Sequence, residues 1–202
     1  MGSSTLIDIV SSMLISGLLL LVAIRMDEKS IRNTFDSQAS LTVQQNLTSL
    51  VESLEYDFRK IGYCRKPERL PSADEPLFIQ QGDTSSISFL TDVADTGSVD
   101  TVKYWLGNTP IAGCPNTKVR MLYRKVNSGP AVGSNLGITQ FYLRYINTSG
   151  DTLPPTPFVA PSQVQVIEIT IRVEPTAAYD TAYSSNYAIW RQTRLVSRNL
   201  QR

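Results

Sequence analysis

The sequence predicts an α+β protein in which a long N-terminal helix, half membrane-spanning and half amphipathic, packs on an antiparallel β-sheet head. A charge-free apolar run extends from Ile9 to Ile24. Beyond it, apolar residues recur in helical steps at Ile31, Phe35, Ala39, Val43, Leu47, Leu50, Leu54, Phe58 and Ile61. After Gly62 the helical period gives way to short alternating runs separated by proline-containing loops. The expected organisation is a membrane-embedded helix half (residues 1–25), an amphipathic half (26–62) and a β-rich head (63–202).

The apolar run centres on Leu18, Leu19, Leu20, Leu21 and Val22, ends at Ile24 before Arg25, and is preceded by Asp8. Spanning a bilayer takes about 20 apolar residues, which this run reaches only if Thr5, Leu6 and Ile7 are counted and Asp8 is tolerated. No basic segment precedes it and no small-residue cleavage site follows, because the chain passes directly to Arg25-Met26-Asp27-Glu28-Lys29. The segment is therefore expected to stay in the mature protein. No proline occurs between Met1 and Lys66, so one helix from Ser3 to Ile61 would run roughly 90 Å at 1.5 Å per residue. The four-residue steps drift away from a 3.5 repeat, which disfavours a coiled coil and leaves a sheet as the cover for the stripe.

In the head, strands are expected at 85–90, 100–106, 118–126, 138–146, 163–173 and 187–196. Alternation is clearest at Val119, Met121 and Tyr123, at Phe141, Leu143 and Tyr145, and at Ile167, Ile169, Ile171 and Val173, which suits antiparallel strands with one covered face. Val166 and Ile167 are adjacent and both apolar, which predicts a bulge there. The connections 64–76 and 147–161 are polar and proline-rich, and partner contacts are expected on such loops.

Nineteen Lys and Arg against eighteen Asp and Glu leave a net charge of +1, so no broad field steers polyanions and nucleic acid is not expected as a direct partner. The chain has no histidine, the commonest general base and transition-metal ligand, which counts against an enzyme. Cys64 and Cys114 are too few for a four-thiolate zinc site. They are expected to form a disulfide tying the helix exit to the sheet, worth roughly 4 kcal/mol for a loop of about 50 residues, with two unpaired thiols as the alternative. Asp92, Asp95 and Asp100, with Gly97 among them, offer oxygen ligands to Ca2+; a turn using Asp and Gly for their backbone preferences explains the same residues. No other cofactor is expected. Tyr179, Tyr183, Tyr187 and Trp190 form either an aromatic contact patch or core, and Asn46 and Asn147 match a glycosylation pattern.

Thr5-Leu6-Ile7-Asp8 ahead of an apolar helix resembles the N-terminus of the type IV pilin and type II secretion pseudopilin superfamily. That terminus reads Gly, an aromatic, then Thr-Leu-Ile-Glu. The larger minor pilins and J-type minor pseudopilins are further resembled by Leu54-Glu55-Tyr56-Asp57-Phe58-Arg59, Gly62-Tyr63, Ile87-Ser88-Phe89, the run from Asp92 to Asp100, Leu122-Tyr123-Arg124 and Arg198-Asn199-Leu200, in that order. The resemblance implies a prepilin peptidase cut, methylation of the new amine and an acidic residue that pairs with a neighbouring subunit; Asp8 takes that place. Aligned on Thr-Leu-Ile, Ser3 replaces the glycine and Ser4 the aromatic, whereas cleavage after Gly2 makes Ser3 the first mature residue. A carboxylate at the mouth of an apolar helix is costly in lipid and is retained where it finds a partner, or where it caps the helix in the headgroup region.

The function so implied is a structural, non-enzymatic minor subunit of a pilus or pseudopilus, contributing to filament initiation or tip assembly. Its partners would be other pilin or pseudopilin subunits in a hetero-oligomeric filament. It would sit in the inner membrane by a single pass with a periplasmic head, or in the filament. Leu18 to Val22 and Ile24 would pack against other subunits' helices. Lys and Arg follow the apolar run at Arg25, Lys29 and Arg32 and none precedes it, which taken alone does not place the head outside. The competing reading is a membrane-anchored extracytoplasmic module that binds a ligand or partner. A membrane-bound hydrolase finds no supporting residue spacing.

Overall fold

The computed structural model describes residues 2–71, 78–154, 163–176 and 189–196, with residues 2–5 and 190 by backbone only. Helix α1 spans Gly2–Arg59. Its end follows from local chemistry: the Lys60 and Ile61 amides donate to the carbonyls of Asp57 and Phe58 at 3.1 and 3.2 Å, tightening the last turn. Gly62 then takes a φ of +70° that a side chain would resist. The Gly62 amide bonds the Leu90 carbonyl at 2.8 Å, handing the chain to the sheet.

The chain divides into two compact units, Met1–Leu41 and Thr42–Arg202. Ile31 and Phe35 are 61% and 68% exposed, whereas burial along α1 begins at Val43. The stripe that carries the head therefore starts about three turns later than its apolar period does.

In the second unit the strands are β1 (Ile79–Gly82), β2 (Ser86–Thr91), β3 (Asp100–Pro110), β4 (Arg120–Val126), β5 (Val132–Ile146), β6 (Thr152–Leu153), β7 (Val166–Val173) and β8 (Ile189–Val196). They form one curled sheet in the order β1-β2-β3-β4-β5-β7-β8, with β6 beside β5 and antiparallel pairing throughout. The expected strands are all present within the described residues. β1 and β6 are additional: β1 is short and does not alternate, and β6 lies inside a loop whose polarity hides it.

Strand β5 changes neighbours along its length. Its first half pairs with β4 and its second with β7. Where β4 no longer reaches, the Leu143 amide bonds the Thr84 carbonyl at 2.7 Å, and the Tyr145 hydroxyl reaches the Asp83 and Ser86 carbonyls at 3.1 and 3.3 Å. The turn between β1 and β2 thus closes the edge and curls the sheet. Gly137, with φ +75°, permits the switch: a Cβ there would run into the Glu174 carbonyl, whose residue donates its amide to the Gly137 carbonyl at 2.8 Å.

The bulge lies in β5 and not at Val166–Ile167. β7 pairs without interruption on both sides, while the register against β5 shifts between Ile138 and Gln140. Thr139 is the extra residue, so Ile138 and Phe141 both face inward and both are buried. Val166 simply occupies the outer face with Glu168, Thr170 and Arg172.

The core joins the helix residues Val43, Leu47, Leu50, Val51, Leu54, Phe58 and Ile61 to the inner face of the sheet. Phe58 sits at its centre, 1% exposed, with ring centroids 5.3 Å from Phe89 and 5.8 Å from Tyr104. Truncating such a ring leaves a void that close-packed strands cannot collapse into. Phe58→Ala is expected to cost about 3–5 kcal/mol, read as a lower denaturation midpoint at unchanged slope for the full chain in detergent.

Candidate functional site

The first candidate surface is the N-terminal part of α1. Leu18, Leu19, Leu20, Leu21, Val22 and Ile24 are all exposed, from 48% to 65%, and Asp8 is exposed as well. The segment has a mean hydropathy of 2.4 over its best window and is long and apolar enough to cross a membrane once. Gly2, Ser3 and Ser4 belong to the helix backbone. An apolar surface this continuous is stable against lipid or against other helices, not against water.

A second constellation fixes the helix to the sheet. Asp57 lies one residue before Phe58 and is buried. Its Oδ2 accepts hydrogen bonds from the Tyr104 hydroxyl at 2.6 Å and from Arg124 Nε at 2.7 Å. Arg124 Nε also reaches the Tyr104 oxygen at 3.0 Å, so α1, β3 and β4 meet in one closed triangle. Burial, then the adjacent Asp57 charge, pushes the Tyr104 hydroxyl far above its ordinary pKa, which keeps it a donor. Burial works against the Arg124 charge, but Asp57 and Tyr104 outweigh it and raise the guanidinium pKa. A second link runs from Glu55 to Arg191 on β8 at 3.8 Å.

The aspartate loop is self-satisfied and corrects the calcium expectation. The Asp92 carboxylate accepts the amides of Gly97 (2.6 Å), Thr96 (3.0 Å) and Arg65 (3.3 Å). Asp100 accepts the Val93 amide at 3.2 Å and the Asn127 side-chain amide at 2.7 Å. Asp95 accepts the Tyr63 hydroxyl at 2.8 Å. With their oxygens directed to protein donors, the three carboxylates do not converge, and among the described residues no group of three or more His, Cys, Asp or Glu is arranged to hold a metal ion. The loop instead staples the helix exit to the sheet: the Asp92 amide bonds the Tyr63 carbonyl at 2.8 Å, Arg65 bonds the Asp95 carbonyl and Arg69 the Gly97 carbonyl, both at 3.3 Å.

The expected disulfide is absent: Cys64 and Cys114 are both free. Cys64 is buried beside the staple, where β3 begins, whereas Cys114 lies in the turn after β3 ends. Strand β3 is eleven residues long, roughly 35 Å at about 3.3 Å per residue, and a disulfide requires Cα atoms within about 7 Å. Cys114 Sγ instead approaches the Thr176 carbonyl at 3.3 Å. Tyr179, Tyr183 and Tyr187, the side chain of Trp190 and the closing Arg198-Asn199-Leu200 lie outside the described residues.

The outer face of the sheet carries features that the sequence did not single out. Glu168 is 1% exposed and is held by Arg194 Nε at 2.7 Å and Arg144 Nη1 at 3.3 Å. A cleft of about 500 Å³ opens across β3, β4, β5 and β7, bordered among others by Lys118, Arg120, Gln140, Arg172 and Glu174. It lies where the register shifts in the β3–β4, β4–β5 and β5–β7 pairings, and irregular pairing has no signature in a single sequence.

No protein-family model matches the chain, and no curated protein is significantly similar to it.

Breaking the triangle leaves the buried Tyr104 hydroxyl without its acceptor and the half-buried Arg124 without its counter-charge, so Asp57→Ala is expected to destabilise the chain by about 1–3 kcal/mol in chemical denaturation. Restoring apolar packing with Tyr104→Phe and Arg124→Met in the same chain should recover part of that loss.

Burial alone would raise the Asp92 pKa, but the amides of Gly97, Arg65, Thr96 and Asp95 together hold it below 3.8. For Glu168, burial likewise works upward, and Arg194, Gln192 and Arg144 hold the pKa below 4.5. A depressed carboxylate contributes stability that is complete above its unfolded pKa and is lost as pH falls through the folded one. The melting-temperature gap between wild type and Asp92→Asn should therefore be full above about pH 5 and close progressively below about pH 4.

Proposed function

We propose that this chain is a structural, non-enzymatic minor subunit of a type IV pilus or type II secretion pseudopilus, acting in filament initiation or at the tip. The observation that carries the reading is the N-terminal helix. Its apolar surface is exposed from Leu6 through Ile24 and holds Asp8 near its start, and the same helix continues to Arg59, where its last turns form the core of a β-rich head. A plain tether needs neither an acid at its apolar mouth nor helical continuity into the head.

In this reading α1 leaves the inner membrane and packs against the apolar helices of neighbouring pilin-type subunits through Leu18 to Val22 and Ile24. Asp8 pairs with a neighbour's N-terminal amine and so sets the axial register; an ion pair in a low-dielectric surrounding makes that register costly to miss. The head lies in the periplasm or on the filament. Chemistry is left to other components, as the triangle and the aspartate loop both serve packing.

The alternative, a permanently anchored module that binds a ligand through its head, draws on the outer-face cleft. Intact and N-terminal peptide mass spectrometry of protein from its native membrane separates the two. The filament reading expects a trimmed, N-methylated terminus at Ser3 or Ser4, and expects Asp8→Ala to abolish filament incorporation without changing the melting temperature of the head. An untrimmed terminus together with normal behaviour of Asp8→Ala would overturn it in favour of the anchored module.

A further inference from the structure

Helix α1 changes character at Arg25. Leu6 to Ile24 are nineteen residues carrying one charge, Asp8, near the far end. At 1.5 Å per residue they rise about 28 Å, close to the roughly 30 Å hydrocarbon core of a bilayer, and they are exposed throughout. When this run fills the core, Arg25 falls at the hydrocarbon edge. Lys29 lies about 6 Å further along the axis and Arg32 about 10 Å, while the headgroup layer of one leaflet is about 5–8 Å deep. Side chains on a helix lean toward its N-terminus, which here is toward the bilayer, so Lys29 and Arg32 both reach back to phosphate level.

The three cations also share a face. Projected at about 100° per residue, Lys29 lies about 40° to one side of Arg25 and Arg32 about 20° to the other. The same projection puts Asp27 about 160° from Arg25, on the opposite side of the helix, and Glu28 about 60° away, at the flank next to Arg32. Asp36 follows Arg32 by one turn, on the side away from the bilayer. All three cations are exposed. Arg32 is engaged within the chain, whereas among the described residues neither Arg25 nor Lys29 is ion-paired. The charges nearest the hydrocarbon edge on this face are therefore positive and open.

We infer that Arg25, Lys29 and Arg32 form a headgroup site for anionic phospholipid, with Arg25 and Lys29 as its principal contacts and Arg32 behind them. The attraction between such cations and an anionic leaflet acts within about a Debye length of the surface, which is where these residues stand. A soluble acidic partner would meet Asp27 and Glu28 as readily as the cations. A membrane surface is met only in the orientation that the apolar run dictates, and its phosphates lie at the depth of Arg25 and Lys29. The site rests on the reading of the apolar run as a membrane span and needs no assumption about a filament.

The test is native mass spectrometry of the full-length chain in detergent with equimolar dioleoyl-phosphatidylglycerol and dioleoyl-phosphatidylcholine. Retention of phosphatidylglycerol over phosphatidylcholine by about fivefold or more is expected, with the preference lost in Arg25→Gln/Lys29→Gln and unchanged by excess inorganic phosphate at constant ionic strength. Asp27→Asn/Glu28→Gln, which removes only competing acids, should increase the preference, and Lys103→Gln/Lys125→Gln on the head should leave it as it is. All of these side chains lie at least partly in solvent, and an unchanged melting temperature verifies the fold of each variant. Equal retention of the two lipids, a preference that survives Arg25→Gln/Lys29→Gln, or displacement of the lipid by inorganic phosphate would each overturn the site. Alkaline carbonate extraction of native membranes tests the span separately: release of the wild-type chain overturns the span, while retention together with equal lipid binding overturns the headgroup site alone.

Discussion

The head depends on a single coverage problem: one face of a curled sheet must be kept from water, and α1 supplies the cover. The sheet's inner residues, from Ile87 and Phe89 through Val102, Leu143 and Ile169, are buried together with Val43 to Ile61 in one cluster. Hydrophobic burial of this kind is strong but not directional. A helix held by it alone can rotate or slide by a turn at modest cost. The Asp57–Tyr104–Arg124 triangle removes that freedom, because its short bonds are satisfied at one rotation and one axial position only. Packing holds the helix on the sheet, and the polar triangle selects where.

That division of labour explains how much was legible in advance. The helix, its apolar first half and its amphipathic second half were readable because side-chain period follows backbone geometry directly. The long strands were readable for the same reason, as Phe141, Leu143 and Tyr145 alternate cleanly. What failed depended on positions distant in sequence. Asp92, Asp95 and Asp100 look like ligands when only their spacing is known, but they accept bonds from Tyr63, Arg65 and Asn127, which the chain brings in from other segments. Cys64 and Cys114 look like a pair until β3 is seen to separate them. The apolar doublet at Val166–Ile167 suggested a bulge, yet a residue at a strand's start can be apolar on the outer face, and the real bulge at Thr139 is polar and leaves no trace in the pattern.

The switch of β5 from β4 to β7 shapes both faces at once. On the inner side, the extra residue at Thr139 returns Phe141, Leu143 and Tyr145 to the core. On the outer side, the same irregularity spreads the strands and opens the cleft. A sheet with unbroken registers from β3 to β7 would present a flatter surface there. The same local departure from ideal pairing therefore closes the hydrophobic core behind and creates concavity in front.

The order of β7 in the chain sets a schedule for biosynthesis. α1 is made first, but its buried stripe needs Ile167, Ile169, Ile171 and Val173 as neighbours, and these emerge roughly 110 residues after Ile61. At about 5–20 residues per second this is an interval of roughly 5–20 s, during which a helix with an uncovered apolar stripe has no completed sheet to lie on. Newly made chains thus pass through a vulnerable window, and the C-terminal core strands β7 and β8, the latter bringing Leu195, decide when it closes, not the first helix.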